Sequence, residues 1–209
     1  MKNFGNPKFI TFEGGEGSGK STQSKKLYEY LLAKNIKAIH TREVGGTAEA
    51  EEIRNLLIHR DLYNVSELML VMAARYEHIN KLVLPALQDG YSVICDRFVD
   101  STACYQANDS ITIQDIFDLH YKLMKAGDEN KVIMPDVTFF MDLSPDIGLA
   151  RSLKTGDINK FEEKNMLFHK LVYDRFKEVA GLYPERIRSI DCAIARNEDE
   201  IHQEIIEHI

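Results

Sequence analysis

Apolar residues along this chain alternate between short strand-like runs and longer stretches in which they return every third or fourth position. The runs fall at Phe9–Phe12, Ala38–Thr41, Ser92–Cys95, Val137–Met141 and Arg188–Ile190. Five short runs separated by segments of helical period predict a five-stranded parallel sheet, buried on both faces by the helices that connect its strands. The first helix is expected over Lys20–Lys34 and a second around Ile53, Leu56 and Leu57. A long third is expected over Ser66–Leu87, where Leu68, Val71, Met72, Ile79, Leu82 and Val83 keep the spacing. Pro85 should bend that helix, because its ring carries no N–H and collides with the carbonyl one turn back. Ile111–Met124, Phe161–Leu182 and Glu198–Ile209 complete the helices. Leu153–Lys160 is rich in Lys, Gly, Asp and Asn and has little to bury, so it reads as the body of a short lid over about residues 151–160.

Size and composition narrow this picture. A chain of 209 residues, 44% apolar, suits one α/β domain over residues 1–209, since single cores grow to ~250 residues. The opening MKNFGNPK has no apolar h-region and no later run reaches the ~18 apolar residues of a membrane span. A soluble, cytoplasmic protein with no membrane partner is expected. Three cysteines, Cys95, Cys104 and Cys192, form no CxxC pair and read as reduced thiols. The seven histidines show neither HxxxH nor HExxH spacing and read as surface or packing residues. A net charge of −7 argues against nucleic acid as a partner, so any polyanion must meet a local basic site.

The chemistry begins at Phe9–Thr22, FITFEGGEGSGKST, where a strand runs into a glycine-rich loop and then a helix. Gly14, Gly15, Glu16, Gly17, Ser18 and Gly19 make a loop whose backbone N–H groups can turn inward on a phosphate. Lys20 can reach β and γ oxygens, and Ser21, followed by Thr22, offers a hydroxyl to Mg²⁺ at a helix N-terminus. This is a P-loop, and it predicts a nucleoside triphosphate as ligand. A second strand, YSVIC, ends on Asp96-Arg97-Phe98, at the sheet edge where open α/β folds bind ligands. Asp96 can face the metal while Arg97 forks onto a phosphate. A GTP-dependent switch is disfavoured, because the chain has no DxxG and Asn159-Lys160-Phe161-Glu162 opens a helix instead of ending a strand.

These segments, together with TREVGGTAEAEEIR, AARYEH, CDRFVDSTACYQ and PDVTFFMDLSPDIGLAR, resemble the bacterial thymidylate kinase family in order and spacing over nearly the whole chain. The resemblance implies a P-loop NTPase fold and transfer of a phosphoryl group from MgATP to dTMP. It implies that Glu16 takes the 3′-hydroxyl of the sugar and that Glu43 belongs to the dTMP site. Arg54 would hold the acceptor phosphate and Arg75 the thymine carbonyl. Thr102 and Gln106 would meet the base edge, Tyr105 would crowd the 2′ position, and Arg151 would cover the adenine. A homodimer through the long helices is also implied.

The chain departs from the family at several places. Val71 stands where the family has an aromatic residue stacked on thymine, so stacking there is either weakened or supplied by Met72, and Val44 stands where TRExGG has proline. Ala107–Ser110 lacks the usual arginine, and the lid carries Lys154 and Lys160 where arginines are common, so these two lysines are the expected lid cations. The competing readings are a kinase for another pyrimidine nucleotide or a deoxynucleoside, and the GTP-binding switch.

Overall fold

The computed structural model describes residues 6–127, 130–155, 164–193 and 195–209. The elements run β1 (Phe9–Glu13), α1 (Lys20–Ala33), β2 (Ala38–Arg42), α2 (Ala48–His59), α3 (Asn64–His78), a π-helical segment (Ile79–Val83) and α4 (Leu84–Gln88). There follow β3 (Ser92–Asp96), α5 (Val99–Gln106), α6 (Ile113–Leu123), the short strands β4 (Lys125–Ala126) and β5 (Lys131–Val132), β6 (Val137–Asp142), α7 (Pro145–Thr155), α8 (Met166–Leu182), β7 (Ile187–Asp191) and α9 (Glu198–Glu207). The five expected strands form one parallel sheet in the order β2-β3-β1-β6-β7.

Period-two alternation divides each strand between two cores. Phe9, Val93, Cys95, Phe140 and Ile187 point to the face covered by α3, α5, α6 and α8, while Ile10, Phe12, Ile94, Phe139, Met141 and Ile190 point to the face covered by α1 and α9. Each of these side chains, taken fully from water, contributes about 1.5–3 kcal/mol, so a slip of one residue in any central strand is strongly disfavoured. That rigidity fixes where the carboxyl ends of β1, β2 and β3 stand relative to each other.

Three boundaries differ from the sequence expectation. The third helix does not run from Ser66 to Leu87 with a bend at Pro85; it widens into the π segment at Ile79–Val83 before α4 begins. Pro85 has no N–H to donate to the preceding turn, and the wider turn lets the Leu84 amide bond the Ile79 carbonyl instead. The lid is also shorter at its start than Leu153–Lys160, because α7 continues to Thr155. Residues 156–163 lie outside the described part, including the beginning of the helix expected from Phe161. The helix itself, α8, starts at Met166 and not at Phe161: Lys164 and Asn165 precede it as non-helical backbone, and the Asn165 side chain caps it by accepting from the Phe168 amide at 3.0 Å.

Candidate active site

A cleft of about 920 Å³ opens along the carboxyl ends of β1, β2 and β3, with the phosphate loop at its centre. Gly19 takes a left-handed conformation (φ 92°) as the N-cap of α1, which aims the first amides of that helix, and the positive end of its dipole, into the cleft. Gly17 (φ 65°) lies so close to Gly148 of α7 that a Cβ on either would strike the backbone of the other segment, so the phosphate loop and α7 interlock.

Lys20 is buried, and its Nζ donates to the Gly15 carbonyl at 2.6 Å and to Ser18 Oγ at 3.4 Å. Burial and the neighbouring Arg97 lower it to about 8, with Glu16, Asp96 and Glu13 pulling the other way. An arriving polyphosphate would raise it again. Ser21 Oγ donates to Asp96 Oδ2, while Asp96 Oδ1 is buried with no hydrogen-bond partner among the described residues. A hydroxyl and a half-satisfied carboxylate side by side fit a hard, oxygen-seeking divalent cation. Among the described residues no group of three or more His, Cys, Asp or Glu could hold a metal ion by itself.

Arg97 occupies the turn after β3 with φ 71°, a conformation rarely held by a non-glycine residue without local compensation. Its guanidinium supplies that compensation. Nη2 donates to Glu16 Oε1 at 2.8 Å, Nη1 donates to the Gly14 carbonyl at 3.0 Å and Ser101 Oγ at 3.1 Å, and the group lies over the Tyr105 ring. Tyr105 also donates to Glu16 Oε1, at 2.7 Å. Burial alone would raise the Glu16 carboxyl, but Arg97, Lys20 and the Tyr105 hydroxyl outweigh it and hold it at about 2.

Toward α3 and α5 the cleft is lined by Arg42, Val71, Thr102 and Gln106, with Arg54 of α2 donating to the Val44 carbonyl at 2.9 Å. Arg75, 1% exposed, donates from Nε to Glu43 Oε2 at 2.7 Å and from Nη2 to Thr102 Oγ1 at 2.6 Å, and lies 4.9 Å over the Phe98 ring. Nη1 finds only the Met72 sulfur, at 3.9 Å, among the described residues, which leaves it the donor best placed for a further acceptor. Both Glu43 oxygens are engaged, one by Arg75 and one by His78 Nδ1 at 2.9 Å. Glu43 lines the cleft and at the same time holds Arg75. Met72 belongs to the core beside Phe9 and Val83, and among the described residues the aromatic rings lining the cleft are Phe98 and Tyr105. Arg151 of α7 also lines the cleft, as do Gln23, Arg196 and Asn197, which the sequence did not flag. Lys160 lies outside the described residues, and Lys154 is described in its backbone alone.

Glu13, at the end of β1, was also missed, although an acid closing the apolar run FITFE is a signal. Its carboxyl accepts from the Phe98 amide at 2.7 Å and from Ser101 Oγ, tying the phosphate-loop strand to the turn that carries Arg97. Burial and the nearby Asp100 push it up to about 8, against Ser101, Arg97 and the Phe98 amide. Its contribution to stability is therefore fully present below pH 4.5 and is lost as pH rises through about 8. Glu13→Gln copies the neutral acid and should flatten that slope, so that in urea titrations across this range the variant gains on wild type as pH rises. Parallel curves would show that Glu13 is already ionised in the fold.

A loop shaped for one polyphosphate, and beside it an arginine turn shaped for another anion, call for two phosphate-bearing ligands in one cleft. Set on a parallel α/β sheet, that requirement defines a P-loop nucleotide kinase. The sequence profile of thymidylate kinase matches residues 12–205, and the chain belongs to that family. The thymidylate kinase of Rickettsia africae is 47% identical over 209 residues, all of both chains. That of Rickettsia bellii is 48% identical over 202 residues, 96% of this chain and 95% of its own. The crystal structure of thymidylate kinase from Ehrlichia chaffeensis superposes with a TM-score of 0.74 at 35% identity, covering 97% of this chain and 98% of that one.

Proposed function

We propose that the protein transfers the γ-phosphoryl group of ATP to the 5′-phosphate of dTMP, giving dTDP and ADP, a step toward dTTP. The observation that carries this reading is Arg75, buried against Phe98 with two of its nitrogens fixed and Nη1 without an oxygen acceptor among the described residues. A buried guanidinium held this way is suited to the carbonyl edge of a pyrimidine.

An acceptor-phosphate oxygen attacks the γ-phosphorus as its bond to the bridging oxygen breaks and ADP departs. Charge spreads over the equatorial oxygens, so the chain's work is positioning and cation placement. Lys20 and the amides at the start of α1 take the β and γ oxygens of the donor. Arg97 and Arg54 hold the acceptor phosphate, and Glu16, kept ionised by Arg97 and Lys20, takes the 3′-hydroxyl. Burial raises the Tyr105 hydroxyl well above its ordinary value, so it stays a donor to Glu16 beside the sugar. Thr102 steadies Arg75, Gln106 meets the base edge, and Arg151 covers the adenine. Ser21 and Asp96 would hold Mg²⁺, which when bound neutralises phosphate charge.

Purified protein given ATP and a panel of dTMP, dUMP, dCMP, UMP and thymidine tests this, and a product from any acceptor but dTMP as the main one would overturn it. Binding of GTP with no phosphorylation would point to the switch. We also infer a homodimer through α3, which leaves Val65, Met69 and Tyr76 exposed beside Leu56 of α2, and a single-chain mass by light scattering would refute it. A cytoplasmic setting is supported by three buried free cysteines, and no helix among the described residues is long and apolar enough to cross a membrane.

Val71 lines the acceptor side of the cleft, and Phe98, whose face is covered by Arg75, cannot replace a stacking ring there. Val71→Phe should tighten dTMP and dUMP alike, by up to ~1–3 kcal/mol for a regained base–aromatic contact. Weaker binding of both by calorimetry would mean that the pocket is shaped around valine.

A further inference from the structure

His78 ends α3 with no exposed surface, and its ring stands in a row of buried polar groups that leads to the base end of the cleft. Nδ1 lies 2.9 Å from Glu43 Oε1, and Nε2 lies 2.8 Å from Thr41 Oγ1 on β2. Burial would raise the Glu43 carboxyl, but Arg75 and His78 outweigh it and hold it below its ordinary value, so it is an ionised acceptor. Nδ1 must then carry the proton. From Glu43 the row continues through Oε2 to Arg75 Nε at 2.7 Å. Gly46, at φ 84°, closes the turn directly onto this ring, since a Cβ there would press on both the His78 imidazole and the Thr41 hydroxyl. The backbone changes from α to π at the next residue, Ile79, a local irregularity that often accompanies functional sites.

A carboxylate with both oxygens open draws a guanidinium into a two-pronged contact. In that arrangement Arg75 would turn Nε and a terminal nitrogen toward both Glu43 oxygens, shifting the guanidinium from the direction in which Nη2 now meets Thr102. With Oε1 engaged by the imidazole, Arg75 meets Glu43 through Oε2 alone, and Nη2 keeps its contact with Thr102, which lines the cleft. We propose that His78 is a positioning residue for recognition of the acceptor base, acting through Glu43 on Arg75. The inference rests on the reading of the cleft as a dTMP site. It assigns a role in specificity to a buried histidine that is not part of the cleft lining.

The test compares His78→Leu with His78→Asn, whose side-chain nitrogen can stand where Nδ1 stands. Steady-state rates are measured with dTMP and ATP varied separately and with dCMP as alternative acceptor, because its 4-amino group presents a donor where thymine presents a carbonyl. His78→Leu should raise KM for dTMP about 10-fold or more, leave KM for ATP within about twofold, and cut the preference for dTMP over dCMP by a similar factor. His78→Asn should recover most of both losses. Equal behaviour of the two variants, KM values for dTMP and ATP rising together, or an unchanged preference would reduce His78 to packing and overturn the proposal. If His78→Leu does not fold, Thr41→Val loosens the ring from its other side and should raise KM for dTMP several-fold with ATP unaffected; no change there overturns it too. Wild-type protein inert toward dTMP would instead overturn the reading of the cleft, and the inference with it.

Discussion

Lys20→Ala should lower turnover roughly 10²–10³-fold, the loss typical of removing one preorganised donor to developing charge, while dTMP affinity stays within about twofold. The asymmetry follows from where the ammonium sits. Its Nζ rests on the Gly15 carbonyl and Ser18 Oγ, inside the phosphate loop, whereas the acceptor side of the cleft is lined by Arg97, Arg54 and Arg75. Stability should barely suffer, because the buried ammonium is lowered to about 8 by burial and Arg97, and its removal relieves both. Turnover by coupled assay, dTMP binding by calorimetry and a urea titration check the three parts. Near-normal turnover would remove Lys20 from the chemistry, and an equal loss of dTMP affinity would mean that the two anion sites are not separate.

The phosphate loop was legible because everything it needs is local: glycines, a lysine and a hydroxyl within one short stretch between a strand and a helix. The sheet was legible for a similar reason, since each strand carries its own apolar run. The base end was not. Glu43, Arg75 and His78 lie 32 and 35 residues apart along the chain, and sequence alone gives the histidine no partner at metal-ligand spacing. Only folding brings β2 against the end of α3. The sequence therefore placed Glu43 in the acceptor site without its hold on Arg75, and His78 read as a surface or packing residue. Met72 failed as a substitute cover for thymine on periodicity: its spacing fits the helical apolar stripe, and that stripe faces the core. The π segment was hidden because a proline predicts that a helix is disturbed without saying how the turn before it adjusts.

The other large effect is expected at Arg97, where one guanidinium serves the acceptor, the carboxylate beside it and its own backbone turn. Arg97→Ala should weaken dTMP binding by ~1.5–3 kcal/mol, the value of a charge-assisted phosphate contact. It should also release Glu16. In the wild-type protein that carboxyl, held at about 2 against burial by Arg97, Lys20 and Tyr105, contributes stability present above pH 4.5 and lost as pH falls toward 2. Without Arg97 the contribution shrinks, so the variant should be less stable at pH 7 and the gap to wild type should close on acidification. Alanine inherits the strain of φ 71°, whereas Arg97→Gly relieves it, by about 1 kcal/mol. The glycine variant should therefore regain stability at every pH and regain no affinity for dTMP. Calorimetric titration of both variants, with urea midpoints from pH 2.5 to 7, separates backbone from charge. Unchanged dTMP affinity in either variant would assign the acceptor phosphate to Arg54 and Arg42, leaving Arg97 as the group that keeps Glu16 ionised.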